Sequence, residues 1–558
     1  MMKRILVSAS LTAVLGVLTA VGCGGSSSNN GGGNTGSDAG GNNNPTNDAG
    51  GNNKPTADGG DSGSPSEDGG TTNPPLPPGS VLPHGNQLVQ SGTLAVNGVT
   101  SDDYVIYTDL STGTAFALSL AGSSKPISLG PLDDQNDVTV IGKVVLLGTT
   151  VNDNSGIGTT SIWTSVASAP APLASATFNG QAAAFAVSAD GSHIMYIDSV
   201  DTNVTTGTVM VAATDGTGKA TLVPGVDLTD SFCIPQLGFA ASSYAVLAYC
   251  VLPAGATGVD AGEPDGGTTV NLATVASYSA ASSWAAATIA SNVQDVFSVD
   301  KAGTKVAVNG AAGTLLYPIG GGSPLTIDAA GEIGSVNFTP GVFTSDGSHF
   351  LYTTNAQALS VAATTSPANP VALTAAGKFS DVLDISADGN WLIGPLNVDP
   401  NSGESDLYLT SATTPLADGG APVTLTAQTT GGIFGNAFTA DSTHALFLSS
   451  VNQGTGTLNA AAVASAGNPT ALGTNAFADF ATSTAQVVFN ANYNGTVNNT
   501  NGAADILVVD TSQATAPTVL VTQADPAIAL NAEKTLVVYT WSYVPTDTAH
   551  AGLWTLAP

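Results

Sequence analysis

The sequence predicts an all-β fold of the β-propeller class, and three observations support that prediction. A short turn between two apolar runs recurs ten times after residue 81. The recurrence is regular, because nine intervals separate Asp102 from Glu533 and the mean spacing is about 48 residues. Within the apolar runs, large apolar residues alternate with small polar ones, which is the periodicity of strands. Units of this kind shield their faces by stacking around an axis.

Each unit is centred on one turn, and the clearest copies place Asp-Gly in that turn. Three copies are Ser188–Tyr196, Ser345–Tyr352 and Ser386–Ile393, and Ala440–Phe447 follows the same plan. Asp-Gly suits a tight hairpin turn that needs a positive φ. The ten predicted turn centres are Asp102, Gly142, Asp190, Ser242, Ala302, Asp346, Asp388, Asp441, Ser483 and Glu533.

Four strands are predicted in each unit. In the third unit they cover Ala182–Val187, His193–Asp198, Gly207–Ala213 and Ala220–Val223. In the ninth unit they cover Ala476–Ala481, Ala485–Asn492, Ala503–Val509 and Pro517–Val521. The Ala-rich stretch Ala280–Ala287 has helix propensity, but its place in the repeat predicts strand.

The two ends of the repeat region are complementary. The last unit stops after its third strand, and Gln87–Gln90 precedes the first unit as an unassigned strand. Pairing the two would close the ring and remove its open edges. Propellers usually have four to eight blades. Ten units therefore leave three alternatives: one unusually large ring, two rings, or a smaller ring with irregular units.

The repeats resemble TolB-type, WD40-like (PD40) propeller repeats, in which a Ser-x-Asp-Gly turn precedes an apolar strand that ends in an aromatic residue. The resemblance covers most of residues 86–558, is strongest at Ser188–Tyr196 and faint in the second and fourth units. The proline that usually precedes the Asp is absent. The resemblance implies a propeller, and frequent roles in protein association in the bacterial envelope, but no single activity.

Composition excludes some classes of partner. Asp and Glu outnumber Lys and Arg by 41 to 10, giving a formal net charge of -31. Such a charge is repelled by nucleic acid and by anionic membrane surfaces. No Gly-x-Ser-x-Gly, His-Glu-x-x-His, phosphate-binding loop or dinucleotide fingerprint occurs in the sequence.

Residues 1–22 read as a targeting segment and residues 23–80 as a tether. Lys3 and Arg4 precede an apolar run that ends at Ala20-Val21-Gly22-Cys23. This resembles the lipobox of bacterial lipoproteins, which implies lipidation of Cys23, and Gly24 favours the outer membrane. The alternative is an ordinary signal peptide with a chance cysteine. The Gly-, Asn-, Asp- and Pro-rich tether buries too little apolar surface to fold, and it leads to the propeller at residues 81–558.

The other two cysteines, Cys233 and Cys250, lie almost symmetrically about the turn at Ser242. In a hairpin they would face each other, and an exported protein sits where disulfides persist. A disulfide is therefore predicted, with two buried thiols as the alternative. Two cysteines alone do not make a metal site.

The remaining candidate residues carry weaker signals. His193, His349 and His444 occupy one place in three units, which puts them on separate blades at solvent-facing strand starts. No partner is apparent in the sequence for His550. An acidic loop offers spaced oxygen ligands for Ca²⁺, although solvated carboxylates are its simpler interpretation. The weak Ca²⁺ candidates in that loop are Asp399, Asn401, Glu404 and Asp406.

Three functions remain open. The favoured one is a lipid-anchored, non-catalytic scaffold that binds an envelope protein or a glycan through loops such as Asn492–Ala503, with Tyr493 as an aromatic contact. The second is a propeller enzyme acting on polysaccharide, a lyase or hydrolase, which needs polar groups clustered at the axial opening. The third is a structural or adhesive surface component held partly by Ca²⁺. No catalytic residue and no cofactor is assigned.

Overall fold

The computed structural model describes residue 76 and residues 78–558 with internal gaps. Outside the description, besides residues 1–75 and 77, lie 123–124, 133–137, 153–156, 164–165, 167–174, 180–185, 189, 202–205, 215–216, 228–235, 242, 252–272, 301, 311–312, 330–341, 355–357, 368–369, 375–383, 397–404, 413–422, 430–435, 453–454, 466–467, 477–478, 482–483, 496–501, 514, 543–546 and 548.

The fold is a single ring of ten blades, which settles the choice among the three alternatives. The strands of the first five blades are β2 (Leu94–Val99), β3 (Tyr104–Asp109), β4 (Thr114–Ser119), β5 (Ile127–Pro131), β6 (Val138–Ile141), β7 (Val144–Asn152), β8 (Ile157–Trp163), β9 (Ser175–Asn179), β10 (Ala186–Val187), β11 (His193–Asp201), β12 (Thr206–Ala213), β13 (Ala220–Asp227), β14 (Gln236–Ala241), β15 (Tyr244–Tyr249), β16 (Ala273–Ser279), β17 (Ala286–Val299), β18 (Lys305–Gly310), β19 (Gly313–Pro318) and β20 (Leu325–Asp328).

The strands of blades 6–10 are β21 (Val342–Phe343), β22 (His349–Thr353), β23 (Leu359–Ala363), β24 (Val371–Ala372), β25 (Asp384–Ile385), β26 (Trp391–Leu396), β27 (Ser405–Ser411), β28 (Val423–Thr429), β29 (His444–Asn452), β30 (Thr455–Ala462), β31 (Thr470–Ala476), β32 (Asp479–Ala481), β33 (Gln486–Asn494), β34 (Ala503–Asp510), β35 (Thr518–Ala524), β36 (Ile528–Leu530), β37 (Val537–Trp541) and β38 (Gly552–Leu556). Two short 3₁₀ turns cover Ala280–Ser282 and Val463–Ser465.

Each blade is an antiparallel meander, and three blades depart from the simple plan. Blades 4 and 5 share β17: its first half pairs with β16 and its second half with β18, so one strand is outermost in blade 4 and innermost in blade 5. In blade 8 the innermost position is a single bridge, Phe438 to Ala445. The other blades contain four hydrogen-bonded strands.

The N-terminal strand β1 (Asn86–Gln90) supplies the fourth strand of blade 10. It pairs antiparallel with β38, with Gln87 opposite Trp554 and Gln90 opposite Gly552. This is the pairing that the sequence predicted for residues 87–90. Blade 10 also packs on blade 1, because Leu94 and Val105 share one buried cluster with Val538 and Leu553.

Among the described residues, the buried apolar side chains form ten clusters, one at each interface between neighbouring blades, and a separate small pair of Cys250 and Ala273. Aromatic residues four places into the second strand fill several of them, for example Tyr196, Tyr352 and Phe489, each at most 1% exposed. These side chains are the aromatic ends of the sequence repeat. Each blade therefore depends on both neighbours to cover its faces.

Eight of the ten predicted turn centres lie between the innermost and second strands of a blade, with the Phe438 bridge taking the innermost place in blade 8, and Ser242 and Ser483 lie outside the described residues. Seven of these turns share one device: a buried polar side chain at the start of the turn accepts the N–H of a residue at or just before the start of the second strand. In blade 6, Thr344 Oγ1 accepts the N–H of His349 at 3.1 Å and donates to Asp346 Oδ1 at 2.7 Å. Thr344, rather than Ser345, is thus the repeat's Ser/Thr position. The same acceptor role is filled in other blades by Thr100, Ser188, Asp300, Ser386, Thr439 and Asn531.

Two strand predictions are wrong in detail. Within the predicted strand Ala280–Ala287, Ala280–Ser282 forms a 3₁₀ turn, and β17 starts only at Ala286. The Ser279 hydroxyl accepts the N–H of Ala281, which caps that turn. Ala476 ends the outermost strand of blade 8 and does not begin blade 9. For the third unit, residues 182–185 of the predicted first strand lie outside the described residues.

The outermost strands are protected by proline. A proline immediately precedes β5, β20, β24, β31 and β35, namely Pro126, Pro324, Pro370, Pro469 and Pro517. Proline has no N–H to offer a foreign strand, so it discourages edge-to-edge pairing. In a chain with few charges, these prolines would discourage the outer edges from pairing with other chains.

Candidate functional site

The meander gives the ring two different faces. The turns between first and second strands and between third and fourth strands share one face, which we call the turn face. The loops between second and third strands and the connections between blades share the other, the loop face. Seven of the first-to-second-strand turns use the same hydrogen bond, whereas the loops differ widely: Gly310 and Gly313 nearly adjoin, but Tyr249 and Ala273 lie far apart in sequence.

The turn face is held together by contacts between neighbouring blades. In these contacts the first residue of a second strand reaches a residue in the turn that follows the third strand of the next blade. His193 meets Trp284 with ring centroids 5.4 Å apart, and the Tyr244 hydroxyl donates to the Ile319 carbonyl at 3.1 Å. The remaining contacts are Lys305 Nζ to Thr364 Oγ1 at 3.1 Å and His444 Nδ1 to Thr511 Oγ1 at 3.3 Å.

Of the three histidines of the repeat, His193 and His444 contact the neighbouring blade. They lie on separate blades, as the sequence predicted, but His193, His349 and His444 are not simply solvent-facing because each is half-buried. Burial lowers the pKa of His444, and the nearby carboxylates of Asp441 and Asp510 only partly oppose that shift. A neutral imidazole suits a contact between blades.

On the loop face, blade 10 presents the one imidazole–carboxylate ion pair found among the described residues. His550 Nδ1 lies 2.7 Å from Asp547 Oδ2, and the two side chains are 32% and 29% exposed. Burial, the largest single cause, would raise the pKa of Asp547, but the hydrogen bond and charge of the His550 side chain, together with the backbone N–H groups of His550 and Ala549, outweigh it, so the pKa is lowered. Because Asp547 engages Nδ1, Nε2 is the nitrogen left to exchange a proton with a ligand. The sequence had suggested no partner for His550.

The surroundings of this pair hold it in place. Trp541, fully buried, meets the imidazole with ring centroids 6.2 Å apart, and its indole N–H donates to the Thr522 carbonyl. The neighbouring Ser542 hydroxyl donates to Asp525 Oδ1 at 2.8 Å. A hydroxyl has one proton, so Ser542 is not hydrogen-bonded as the nucleophile of a Ser-His-Asp triad.

Blade 9 adds polar groups and an aromatic ring to the same face. Asn492 Nδ2 donates to Asp505 Oδ2 at 2.8 Å, and Asp505 Oδ1 accepts the N–H of Gln523. The half-buried ring of Tyr493 rests against Gly502, where an added Cβ would lie 2.8 Å from the ring. Tyr493 is thus held in position, as a contact residue for a ligand should be.

A further carboxyl group stands out on the innermost strand of blade 7. Part of the Asp384 side chain is accessible to solvent, but protein atoms surround the carboxyl group. This burial raises the pKa of Asp384 to about 6, although the N–H groups of Ile385 and Ala437 favour the charged form. The equivalent positions in other blades hold small or apolar residues, among them Gly98, Ala186, Ala437 and Ala529. The fold therefore does not require a carboxylate there.

Most of the other predicted site residues lie outside the described part of the chain. Cys23, Cys233, Asp399, Asn401 and Glu404 lie outside the described residues, and Asp406 lies in β27. Cys250 follows β15 and is 8% exposed. Both the disulfide and the Ca²⁺ loop stay predictions.

Within the described part of the chain, no three His, Cys, Asp or Glu side chains converge as a metal-binding group. In the same part, no helix is both long enough and apolar enough to cross a bilayer.

Known proteins give little further guidance. No family model matches the chain, and no curated protein matches it. Among solved structures, a eukaryotic initiation factor is 12% identical with a TM-score of 0.42, covering 68% of this chain and 89% of that one. Dipeptidyl peptidase 4 of Porphyromonas gingivalis is 10% identical (TM-score 0.40; 79% and 60% covered). A TolB from Agrobacterium tumefaciens is 15% identical (TM-score 0.23; 37% and 70%). At these scores the similarities carry no information about activity.

Proposed function

We propose that this chain is a tethered, non-catalytic binding scaffold that engages an envelope protein or a glycan through its loop face. The difference between the two faces carries the proposal. The turn face is occupied by contacts that hold the ring together, so its side chains are committed to the fold. The loops of the loop face vary in length from blade to blade, and loops on a rigid scaffold are the usual place for binding.

Display at the bacterial envelope is the second part of the proposal. It is supported by the apolar run and the Ala-Val-Gly-Cys sequence ending at Cys23, followed by a tether that leads to the ring. We expect radiolabelled palmitate to label the protein in cells, and Cys23→Ser to remove the label and release the chain from the membrane fraction. Retention of label in Cys23→Ser would contradict the anchor. Fractionation of labelled cells tests the proposed outer-membrane location.

Binding is tested by placing a photo-crosslinking residue on each face in intact cells. Asn494 is exposed at the end of β33 on the loop face, and Ala121 is exposed after β4 on the turn face. We expect a reproducible adduct, protein or glycan, from position 494 and none from position 121. Equal crosslinking from both positions, or from neither, would contradict the assignment of the loop face.

A polysaccharide lyase or hydrolase is the second candidate, and the His550–Asp547 pair is the observation that favours it. A carboxylate that orients an imidazole is an arrangement used for general acid–base catalysis. In this case, purified protein would cleave a member of a polysaccharide panel, and His550→Gln would abolish turnover while leaving the melting temperature unchanged. Turnover that depends on His550 would replace the scaffold proposal.

A further inference from the structure

The interface between blades 5 and 6 contains a row of oxygen-bearing side chains. In blade 5, Asn309 is directly opposite Thr314, and Thr314 is directly opposite Asp328. Directly opposite residues project from the same face of a sheet, with Cβ atoms about 4.5–5.5 Å apart. The three side chains are thus neighbours across three strands.

Blade 6 contributes a fourth oxygen to this row. Tyr352 packs in one buried cluster with Ala307 and Leu316, which lie two residues before Asn309 and two residues after Thr314 and so share their face of the sheet. Ile327, the neighbour of Asp328 at the end of β20, belongs to the same cluster, which brings this end of β20 beside Tyr352. The row therefore faces the Tyr352 ring.

Three of these oxygens are buried without a hydrogen-bond partner. They are Asn309 Oδ1, Thr314 Oγ1 and the Tyr352 hydroxyl, in residues that are 7%, 0% and 1% exposed. An unsatisfied buried polar group is destabilising, because it has given up its hydrogen bonds to water and gained none in the protein. Three such atoms beside one carboxylate indicate a missing common partner rather than three independent defects.

We infer that this interface is a Ca²⁺ site held by Asn309, Thr314, Asp328 and Tyr352. The donors are an amide, two hydroxyls and a carboxylate, all hard oxygen ligands of the kind Ca²⁺ takes. No nitrogen or sulfur ligand is involved, which disfavours zinc. The chain also has four acidic side chains for each basic one, so cations from solution are suited to balance its carboxylates. A site with one carboxylate and neutral oxygens belongs at the weak end, with a Kd of about 10⁻⁴–10⁻³ M.

The site is tested on the full folded chain by Ca²⁺ titration after chelator treatment. Isothermal titration and native mass spectrometry should find Ca²⁺ bound with that weak affinity, and 10 mM CaCl₂ should raise the melting temperature by about one to three degrees. Asp328→Asn keeps the shape but removes the charge, so we expect at least a tenfold loss of affinity. Glu533→Gln removes an exposed carboxylate in the blade 10 turn and should bind Ca²⁺ as the wild type does.

Terbium luminescence provides a measurement that is specific to this site. Tb³⁺ replaces Ca²⁺, and a nearby tyrosine transfers energy to it, so Tyr352→Phe should reduce Tb³⁺ emission more than it reduces Tb³⁺ binding. Asn309→Leu, which removes one ligand and leaves the tyrosine, should reduce both equally. A buried water molecule would satisfy the same oxygens; Ca²⁺ binding that is absent, or unchanged in Asp328→Asn, overturns the inference.

Discussion

Replacing Thr344 with valine tests whether the repeated turn is a stability device. Thr344 is 1% exposed, and its hydroxyl both accepts from the His349 backbone N–H and donates to Asp346. Valine has nearly the same shape but offers neither interaction. The substitution therefore leaves a partly buried N–H without an acceptor while the packing stays intact.

The expected cost is about 2–3 kcal/mol. The unpaired N–H contributes about 1–2 kcal/mol, and the lost bond to Asp346 about 1 kcal/mol because that carboxylate is exposed and water replaces the hydroxyl. For a ring of roughly 480 residues the entropy of unfolding is about 1 kcal/mol/K, so the melting temperature falls by about 2–3 °C.

The pH dependence adds a second signature. Hydrogen bonds, first that of Thr344 and then those of Ser348, lower the pKa of Asp346 from 3.8 to about 2. A depressed pKa contributes stability above pH 4 that is lost as pH falls through about 2. The difference between wild type and Thr344→Val should therefore shrink over that range.

Calorimetry on three variants provides the measurement. Thr344→Ser keeps the hydroxyl, as Ser188 and Ser386 do in their blades, and should lose only about 0.8 kcal/mol for one methyl group. Thr326→Val, on the exposed outermost strand β20, should be close to neutral. The reasoning is refuted if Thr344→Val melts with Thr326→Val, or if Thr344→Ser is as unstable as Thr344→Val.

Three other predictions concern the inner strand, the cysteines and the N-terminal segment. Because burial raises the pKa of Asp384 to about 6, the native protein binds this proton more tightly than the unfolded chain does and loses stability as pH rises from about 4 to 6. Urea midpoints measured across this range should show that slope in the wild type and not in Asp384→Asn. An unchanged slope in the variant would contradict the prediction. If Cys233 and Cys250 form a disulfide, both cysteines resist alkylation in denaturant until reductant is added. Reduction should lower the free energy of unfolding by about 3 kcal/mol. Alkylation without reductant would exclude the bond. A chain starting at residue 86 loses the hydrogen bonds from Thr522 to Val81 and from Tyr539 to His84. Its melting temperature should therefore lie about 2–4 °C below that of a chain starting at residue 76. Equal melting temperatures would show that this segment adds no stability.

Sequence reasoning located the turns and missed the partners between blades. The turns were predictable because a tight hairpin restricts its residues locally, so Asp190-Gly191 or Asp346-Gly347 is recognisable in isolation. The number of blades in the ring depends on whether blade 10 packs on blade 1. This contact joins the two ends of the repeat region, and no local sequence pattern encodes the packing of one blade on the other. Ala280–Ser282 was misassigned because its 3₁₀ turn depends on the cap by Ser279 rather than on periodicity.

The candidate site was predictable only in outline. The sequence pointed to loops such as Asn492–Ala503 for binding and to Tyr493 as an aromatic contact within them. His550 was set aside for lack of a partner, although Asp547 lies three residues earlier, within reach in a tight loop. The row Asn309, Thr314 and Asp328 could not be read from sequence, because its register depends on a bulge between Thr314 and Leu315 that brings Asp328 opposite Thr314.

The division between the faces explains how one ring can be both rigid and adaptable. Each turn-face contact, such as Lys305 to Thr364, links a blade to the next at the side that carries the repeated turns between first and second strands. Loops on the opposite side can then lengthen, as between β15 and β16, without disturbing the stacking of neighbours, since the cost of a longer loop grows only slowly with length. The N-terminal segment joins blade 9 through Val81 and blade 10 through β1, so a pull on the proposed tether would be shared by two blades. A scaffold that presents variable loops from a tether needs this combination, whereas an enzyme would need its variable loops to converge on one constellation of reactive groups.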